Sequence, residues 1–140
     1  MELADTTAWW WSRRRAYPVL RRTFDEALVD GRLATCDMVR LELLHSARSA
    51  SEFAQIREEL TALPDCPIDK AQWDRALWVY EQLSAQGGTF QRSVKHPDLL
   101  IAAAAEAAGL AIVHYDEDYD RIAAITGQPT RWLAPAGSLR

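Results

Sequence analysis

The chain has 140 residues, is 49% apolar and carries a formal charge of −4. A length and apolar fraction of this order suit one domain with a hydrophobic core and exclude a disordered chain. The acidic balance does not exclude nucleic acid, because Arg13, Arg14, Arg15, Arg21 and Arg22 crowd the first part of the chain, and a bound cation would offset carboxylates elsewhere.

The predicted elements alternate strand and helix, the pattern of an α/β fold with a parallel sheet. A short strand over residues 2–4 ends on Asp5 and leads into a helix through Trp11. A second helix spans 18–30, with Val19, Leu20, Phe24, Ala27 and Leu28 at helical spacing and Gly31 as its stop. Residues 33–35 read as a strand, and a helix over 38–48 follows with Asp37 as its cap. Amphipathic helices are predicted over 51–63 and 70–85, the latter capped by Asp69, before a polar loop opened by Gly87 and Gly88. Pro97 suits a first helical turn, and the helix over 98–108 is apolar except for Asp98 and Glu106, with Gly109 closing it. A strand over 110–114 is apolar enough for burial on both faces. Asp116, Glu117 and Asp118 come next, then a helix over 119–126 and a strand near 130–133.

Four acids stand apart from the polar helix faces that hold most carboxylates. Asp5 and Asp116 come just past strand ends, where open α/β sheets bind ligands; both also suit plain loop or N-cap roles. Glu42 lies among Val39, Leu41, Leu43 and Leu44, and it reads equally as a solvated residue or as an acid aimed at a metal. Asp98 opens an apolar helix, where an acid stabilises the helix dipole and where a ligand-binding acid would also stand. Converging carboxylates repel one another unless a cation is present, and an oxygen-only set favours Mg²⁺ or Mn²⁺ over zinc. His45, His96 and His114 have no ligand-pattern partner and read as structural.

Cys36 and Cys66 are 30 residues apart with no metal-ligand spacing, so neither a zinc site nor a disulfide is expected. No leader pattern opens the chain and no apolar run reaches about 18 residues, so a cytoplasmic protein without membrane contact is expected. Basic residues are 14 Arg and 2 Lys. Arg suits phosphate recognition, although genomic base composition yields the same bias.

Four motifs in order resemble the PIN domain. They are Asp5-Thr6-Thr7-Ala8-Trp9, Arg40-Leu41-Glu42-Leu43-Leu44, the run His96-Pro97-Asp98-Leu99-Leu100-Ile101-Ala102-Ala103, and His114-Tyr115-Asp116-Glu117-Asp118-Tyr119-Asp120. More narrowly, they are similar to VapC toxins of bacterial toxin–antitoxin systems. The resemblance covers nearly the whole chain and implies one PIN domain over residues 1–140: a three-layer α/β/α fold with a central parallel sheet of four to five strands. It places the acidic quartet on Asp5, Glu42, Asp98 and Asp116, with Asp118 as a further acid able to take the fourth role. It makes Asp5 and Asp98 the direct Mg²⁺ ligands, Glu42 and Asp116 completing ligands, and Thr6 a small polar residue beside the ion.

The implied activity is metal-dependent hydrolysis of RNA phosphodiester bonds, with tRNA or rRNA as the expected class, by one metal or two. Arg13, Arg14 and Arg15 could contact phosphates, and Trp9, Trp10 and Trp11 could stack on bases or pack in the core. The resemblance also implies a VapB-type antitoxin partner and a homodimer. A phospho-acceptor receiver domain is disfavoured, because it needs a lysine after the late strands and Lys95 precedes the strand over 110–114. A PIN nuclease of RNA processing and a binding module with a vestigial acidic site are the remaining alternatives.

Overall fold

A computed structural model describes residues 1–140. The first strand, β1 (Glu2–Ala4), runs through Asp5 into α1 (Thr6–Ser12). Helix α2 (Pro18–Val29) starts on proline, which the first helical turn tolerates because its N–H would lack a partner there. It ends in a Schellman motif: Gly31 at φ +67° donates to Leu28 O, and Arg32 donates to Ala27 O. Strand β2 (Leu33–Ala34) follows, and Thr35 extends it by a single bridge to Asp65.

The helix expected over 38–48 is α3 (Asp37–Leu44), which is shorter at its far end. Asp37 lies inside its first turn, and the N-cap is Cys36 with no side-chain bond. It stops early because turn bonds use its last carbonyls: Ser46 Oγ donates to Leu43 O at 2.6 Å and Ala47 N to Leu44 O. Helices α4 (Ala50–Thr61) and α5 (Lys70–Ser84) match their expected places, with Ser49 and Asp69 as caps. Asp69 forms a full capping box with Gln72. The polar loop after Gly87 and Gly88 contains a 3₁₀ turn (Phe90–Ser93) that the apolar pattern does not announce. Helix α6 (His96–Ala107), β3 (Ala111–His114), α7 (Asp118–Thr126) and β4 (Thr130–Trp132) complete the chain.

All strands are parallel, in the order β2-β1-β3-β4, as the expected α/β architecture requires. The chain moves one way from β1 to β2, then the opposite way to β3 and β4. Right-handed crossovers therefore put α1 and α2 on one face and α5, α6 and α7 on the other. Helix α3 packs on α1, α4 and α6 at the β2 side. The order reverses between β1 and β3, which makes the carboxyl ends of those strands the topological switch point.

The core centres on α6, where every residue from Asp98 to Ala105 is buried. Its polar exception outside the first turn, Glu106, is held by a two-pronged ion pair with Arg75 at 2.7 and 3.1 Å. Ile101, Ile112, Leu3 and Tyr119 are fully enclosed around it. Trp9 packs edge-on against Phe24, with ring centroids 5.1 Å apart. Cys36 and Cys66 are free and buried, and burial pushes the Cys36 thiol up to about 11. No helix is long and apolar enough to cross a membrane.

Gly109, at φ +70°, closes α6 by donating to Glu106 O, while Leu110 donates to Ala105 O and turns the chain into β3. A Cβ there would meet nothing within 4 Å, so the cost of substitution is the left-handed backbone alone. Gly109→Ala should lower unfolding stability by about 1 kcal/mol, read from urea denaturation, with an unchanged m-value.

Candidate metal centre

The switch point gathers four acidic segments at one sheet edge. Asp5 directly follows β1, and Asp116 lies two residues past β3. Helix α6 leads back into β3, so its N-terminal turn, with Asp98, stands at the same edge. Helix α7 begins there with Asp118.

Carboxylate oxygens of Asp98, Asp116 and Asp118 all lie within 4.8 Å of one another. Asp98 and Asp118 are 5% and 3% exposed as whole residues. Asp98 Oδ1 accepts from the Tyr119 hydroxyl at 3.2 Å, whereas its buried Oδ2 accepts no hydrogen bond. Asp116 Oδ1 accepts from Asp118 N at 2.9 Å. Asp118 is fully engaged by protein donors: Oδ1 by Arg121 Nη1 at 3.1 Å, and Oδ2 by Lys95 N at 3.0 Å and Lys95 Nζ at 2.7 Å. Lys95 Nζ also lies 2.7 Å from Asp116 Oδ2 and 3.3 Å from Asp98 Oδ2.

Asp5 and Glu42 are held beside this trio and are not members of it. The Asp5 carboxylate caps α1, accepting from Ala8 N at 2.9 Å and from the Thr7 hydroxyl at 2.8 Å. That hydroxyl accepts in turn from Tyr115 N at 2.8 Å, tying the end of β3 to the end of β1. Glu42, on α3, accepts from the Thr6 hydroxyl at 2.7 Å. Thr6 thus holds Glu42 against the start of α1, one residue from Asp5. Asp5 is therefore both an N-cap and a member of the acidic edge, two roles that its position in the sequence left as alternatives.

Burial dominates the electrostatics. It pushes the Asp5 carboxyl up to about 6 against the lowering effect of the Ala8 N–H and the Thr7 hydroxyl. It also holds the Asp98 carboxyl well above the usual carboxylate range, helped by hydrogen bonding with Asp118 and opposed by the charge of Lys95. Asp118 moves the other way: its bonds to Asp98 and Lys95 outweigh burial and lower it. A cation bound there would oppose these upward shifts by favouring the ionised carboxylates. A buried carboxylate oxygen that accepts no hydrogen bond, in an all-oxygen set at an open sheet edge, fits a hard divalent ion. Asp98 Oδ2 and Asp116 Oδ2 are the oxygens that could hold it.

Arg13, Arg14 and Arg15 are not brought into the acidic cluster. Arg13 pairs with Asp25 at 3.0 Å and lies over the Trp9 ring, Arg14 lies over Trp10 and Trp11, and Arg15 is exposed. Arg13 and Arg14 line an apolar groove of about 720 Å³ with Trp9, Trp10, Leu43 and Ile56. Trp11 reaches toward the acids, packing on Tyr115 at 5.2 Å.

Three supporting residues escape sequence reasoning, Lys95, Thr7 and Tyr119, whereas His114 has the structural role expected of it. The His114 Nδ1 accepts from Asp116 N at 3.1 Å, and burial lowers its pKa, so the neutral ring can hold the loop that carries Asp116. The spacing of Lys95, one turn before Asp98, was the available signal for the first of these.

A PIN domain model matches residues 3–125. Ribonuclease VapC18 of Mycobacterium tuberculosis is 45% identical over 135 residues, covering 96% of each chain. Ribonuclease VapC51 of the same species is 39% identical over 127 residues, covering 91% of this chain and 90% of that one. Among solved structures, DNA-bound VapBC from Salmonella typhimurium superposes with a TM-score of 0.72 at 19% identity, covering 96% of this chain and 100% of that chain. A toxin–antitoxin complex from Klebsiella pneumoniae gives 0.67 at 18% identity, covering 96% and 98%. At these identities the structural matches show the fold.

The buried acid yields a stability test. The unfolded chain loses the Asp5 proton near its ordinary value of 3.8, and the native chain keeps it up to about 6. Between these values the native state binds more protons, so this group's contribution to stability falls as pH rises. Asp5→Asn removes the titration and keeps an acceptor for the Ala8 N–H. In EDTA it should be more stable than wild type at pH 7.5, by on the order of 1–3 kcal/mol, with the difference closing near pH 4. Melting curves at the two pH values check this.

Proposed function

The chain belongs to the PIN-domain family and to its VapC ribonucleases, and on that premise we propose that the acidic edge is a Mg²⁺-dependent endoribonuclease site of a toxin neutralised by a VapB-type antitoxin. The observation that carries this reading is the buried Oδ2 of Asp98, which accepts no hydrogen bond and faces only the Lys95 ammonium, beside Asp116 and Asp118. The named relatives are ribonucleases along nearly their full length.

A divalent ion bound there supplies a water of lowered pKa and charge neutralisation at the scissile phosphate. The chain's own residues orient and hold. Asp98 and Asp116 offer oxygens to the ion, and Tyr119 keeps Asp98 turned by donating to its Oδ1. Asp5 and Glu42 supply negative potential from the neighbouring strand end and from α3, fixed by the Thr7 and Thr6 hydroxyls. They can position water or a second ion. Asp118 is assigned to bracing: with Arg121 and the Lys95 N–H it ties the start of α7 to the start of α6. This divides the two acids that the last motif left interchangeable.

Residues 1–140 act as one PIN domain in this reading. RNA, with tRNA or rRNA as the expected class, approaches the open edge. Exposed Arg15 and the Arg14–Trp11–Tyr115 stack offer charge and ring faces to a single strand. The apolar groove between α1 and α4 suits a hydrophobic antitoxin segment. Exposed Trp73, Leu77 and Trp78 on α5 suit a homodimer contact. A cytoplasmic location agrees with the substrate.

Asp98→Asn should abolish Mg²⁺- or Mn²⁺-dependent RNA cleavage and relieve growth arrest, and EDTA should silence the wild type. Full cleavage by Asp98→Asn, or cleavage that persists in EDTA, would overturn the assignment.

The division between the last two acids has its own readout. Asp116→Ala should cost activity with little loss of stability. Asp118→Ala should cost roughly 2 kcal/mol of stability as well, because it removes the acceptor of the Lys95 N–H and one partner each from Lys95 and Arg121. Melting temperature measured beside cleavage rate separates the two.

A further inference from the structure

Lys95 holds an unusual position among the basic residues. Its Nζ reaches Asp116 Oδ2 and Asp118 Oδ2 at 2.7 Å each, and Asp98 Oδ2 at 3.3 Å. These three oxygens come from the loop after β3, from α7 and from α6. They belong to the three residues whose carboxylates lie close enough together to hold a metal ion. An ammonium has three donors on a compact point charge, so a single atom can face three converging oxygens at once. The chain uses Arg at 14 of its 16 basic positions and Lys at this one.

The ammonium and a divalent ion compete for the same oxygens. A Mg²⁺ ion sits about 2.0–2.1 Å from its oxygens. Held by Asp98 Oδ2 and Asp116 Oδ2, it would share both ligands with the Lys95 ammonium and repel that like charge at close range. The backbone of Lys95 is pinned through its N–H to Asp118 Oδ2 at 3.0 Å, whereas its side chain is 61% exposed. The residue can therefore stay in place while its amine swings out to water.

We infer that Lys95 is a resident counter-cation: its ammonium fills the metal position in the metal-free protein, and the arriving divalent ion expels it. This rests on the reading of the acidic edge as a divalent-metal site. It accounts for how three crowded carboxylates stay assembled before metal arrives. It also sets an internal competitor that weakens metal binding, so the site loads only when the divalent ion outcompetes a tethered amine.

The test uses the wild-type protein and one variant. Mn²⁺ binding is measured by calorimetry, and amine acetylation at Lys95 is followed by peptide mass spectrometry, with Lys70 as the internal reference. Saturating Mn²⁺ should raise the Lys95-to-Lys70 labelling ratio severalfold. Lys95→Met should bind Mn²⁺ about tenfold more tightly, through loss of a like charge at close range, and should melt lower than wild type in EDTA. Mn²⁺ binding with an unchanged labelling ratio, or with equal or weaker affinity in Lys95→Met, overturns the counter-cation role and leaves the metal reading standing. Absence of Mn²⁺ binding in both proteins overturns the metal reading and this inference together. The labelling measurement needs no substitution, so it decides the matter even where Lys95→Met does not fold.

Discussion

The structure turns on one unfavourable act, the burial of the Asp98 carboxyl at the start of a helix otherwise enclosed in apolar side chains. An ionised carboxylate in such surroundings must find hydrogen bonds, a proton or a cation. Tyr119 donates to one oxygen, and the other accepts no hydrogen bond and has only the Lys95 ammonium nearby. Asp116 and Asp118 stand close by, so neighbouring carboxylates add repulsion to desolvation. The native fold tolerates this because α6 is gripped on all sides by the core and because Lys95 and Arg121 bring positive charge to the rim. Stability and activity thus pull in opposite directions at this edge, and neutralising a buried acid should strengthen the empty protein while disabling it.

The rest of the site is organised so that few of its parts are free to relax. Thr7 links the Asp5 carboxylate to the backbone after β3, so the two central strand ends move as one. Thr6 fixes Glu42 from α3. His114 and Asp118 hold the short loop that presents Asp116. Each of these bonds joins elements that are distant in sequence. The result is preorganised negative potential where a cation and a phosphate would meet. Around it lie surfaces of different character: an apolar groove between α1 and α4, and an exposed aromatic stripe on α5.

Much of the fold was legible because periodicity and punctuation agreed. Gly31 and Gly109 mark helix ends that the structure closes with left-handed turns, and Asp69 caps where expected. The end of α3 was not legible, because Ser46 and the turn bonds that stop it compete locally with a helical pattern. The parallel sheet followed from the alternation of strands and helices. Within the site, the acids could be picked out as a set by their strand-end places and apolar surroundings, but their division of labour could not. Asp118 reads as a further acid able to take the fourth role, and in the structure it is almost wholly buried and saturated by donors. Lys95 stands one turn before Asp98, a spacing that places it near one acid only; its role exists once three segments meet. Arg13 and Arg14 were open to phosphate contact or a solvated helix end, and the structure lays their guanidinium groups over Trp9, Trp10 and Trp11.

The central claim is that the acidic edge at the switch point is a divalent-cation site centred on Asp98 and Asp116. Its most direct test is a crystal of the protein grown with Mn²⁺ and measured for anomalous scattering. The account expects a peak bonded to Asp98 Oδ2 and Asp116 Oδ2. A peak at other residues, or none at this edge with Mn²⁺ at millimolar concentration, would contradict it.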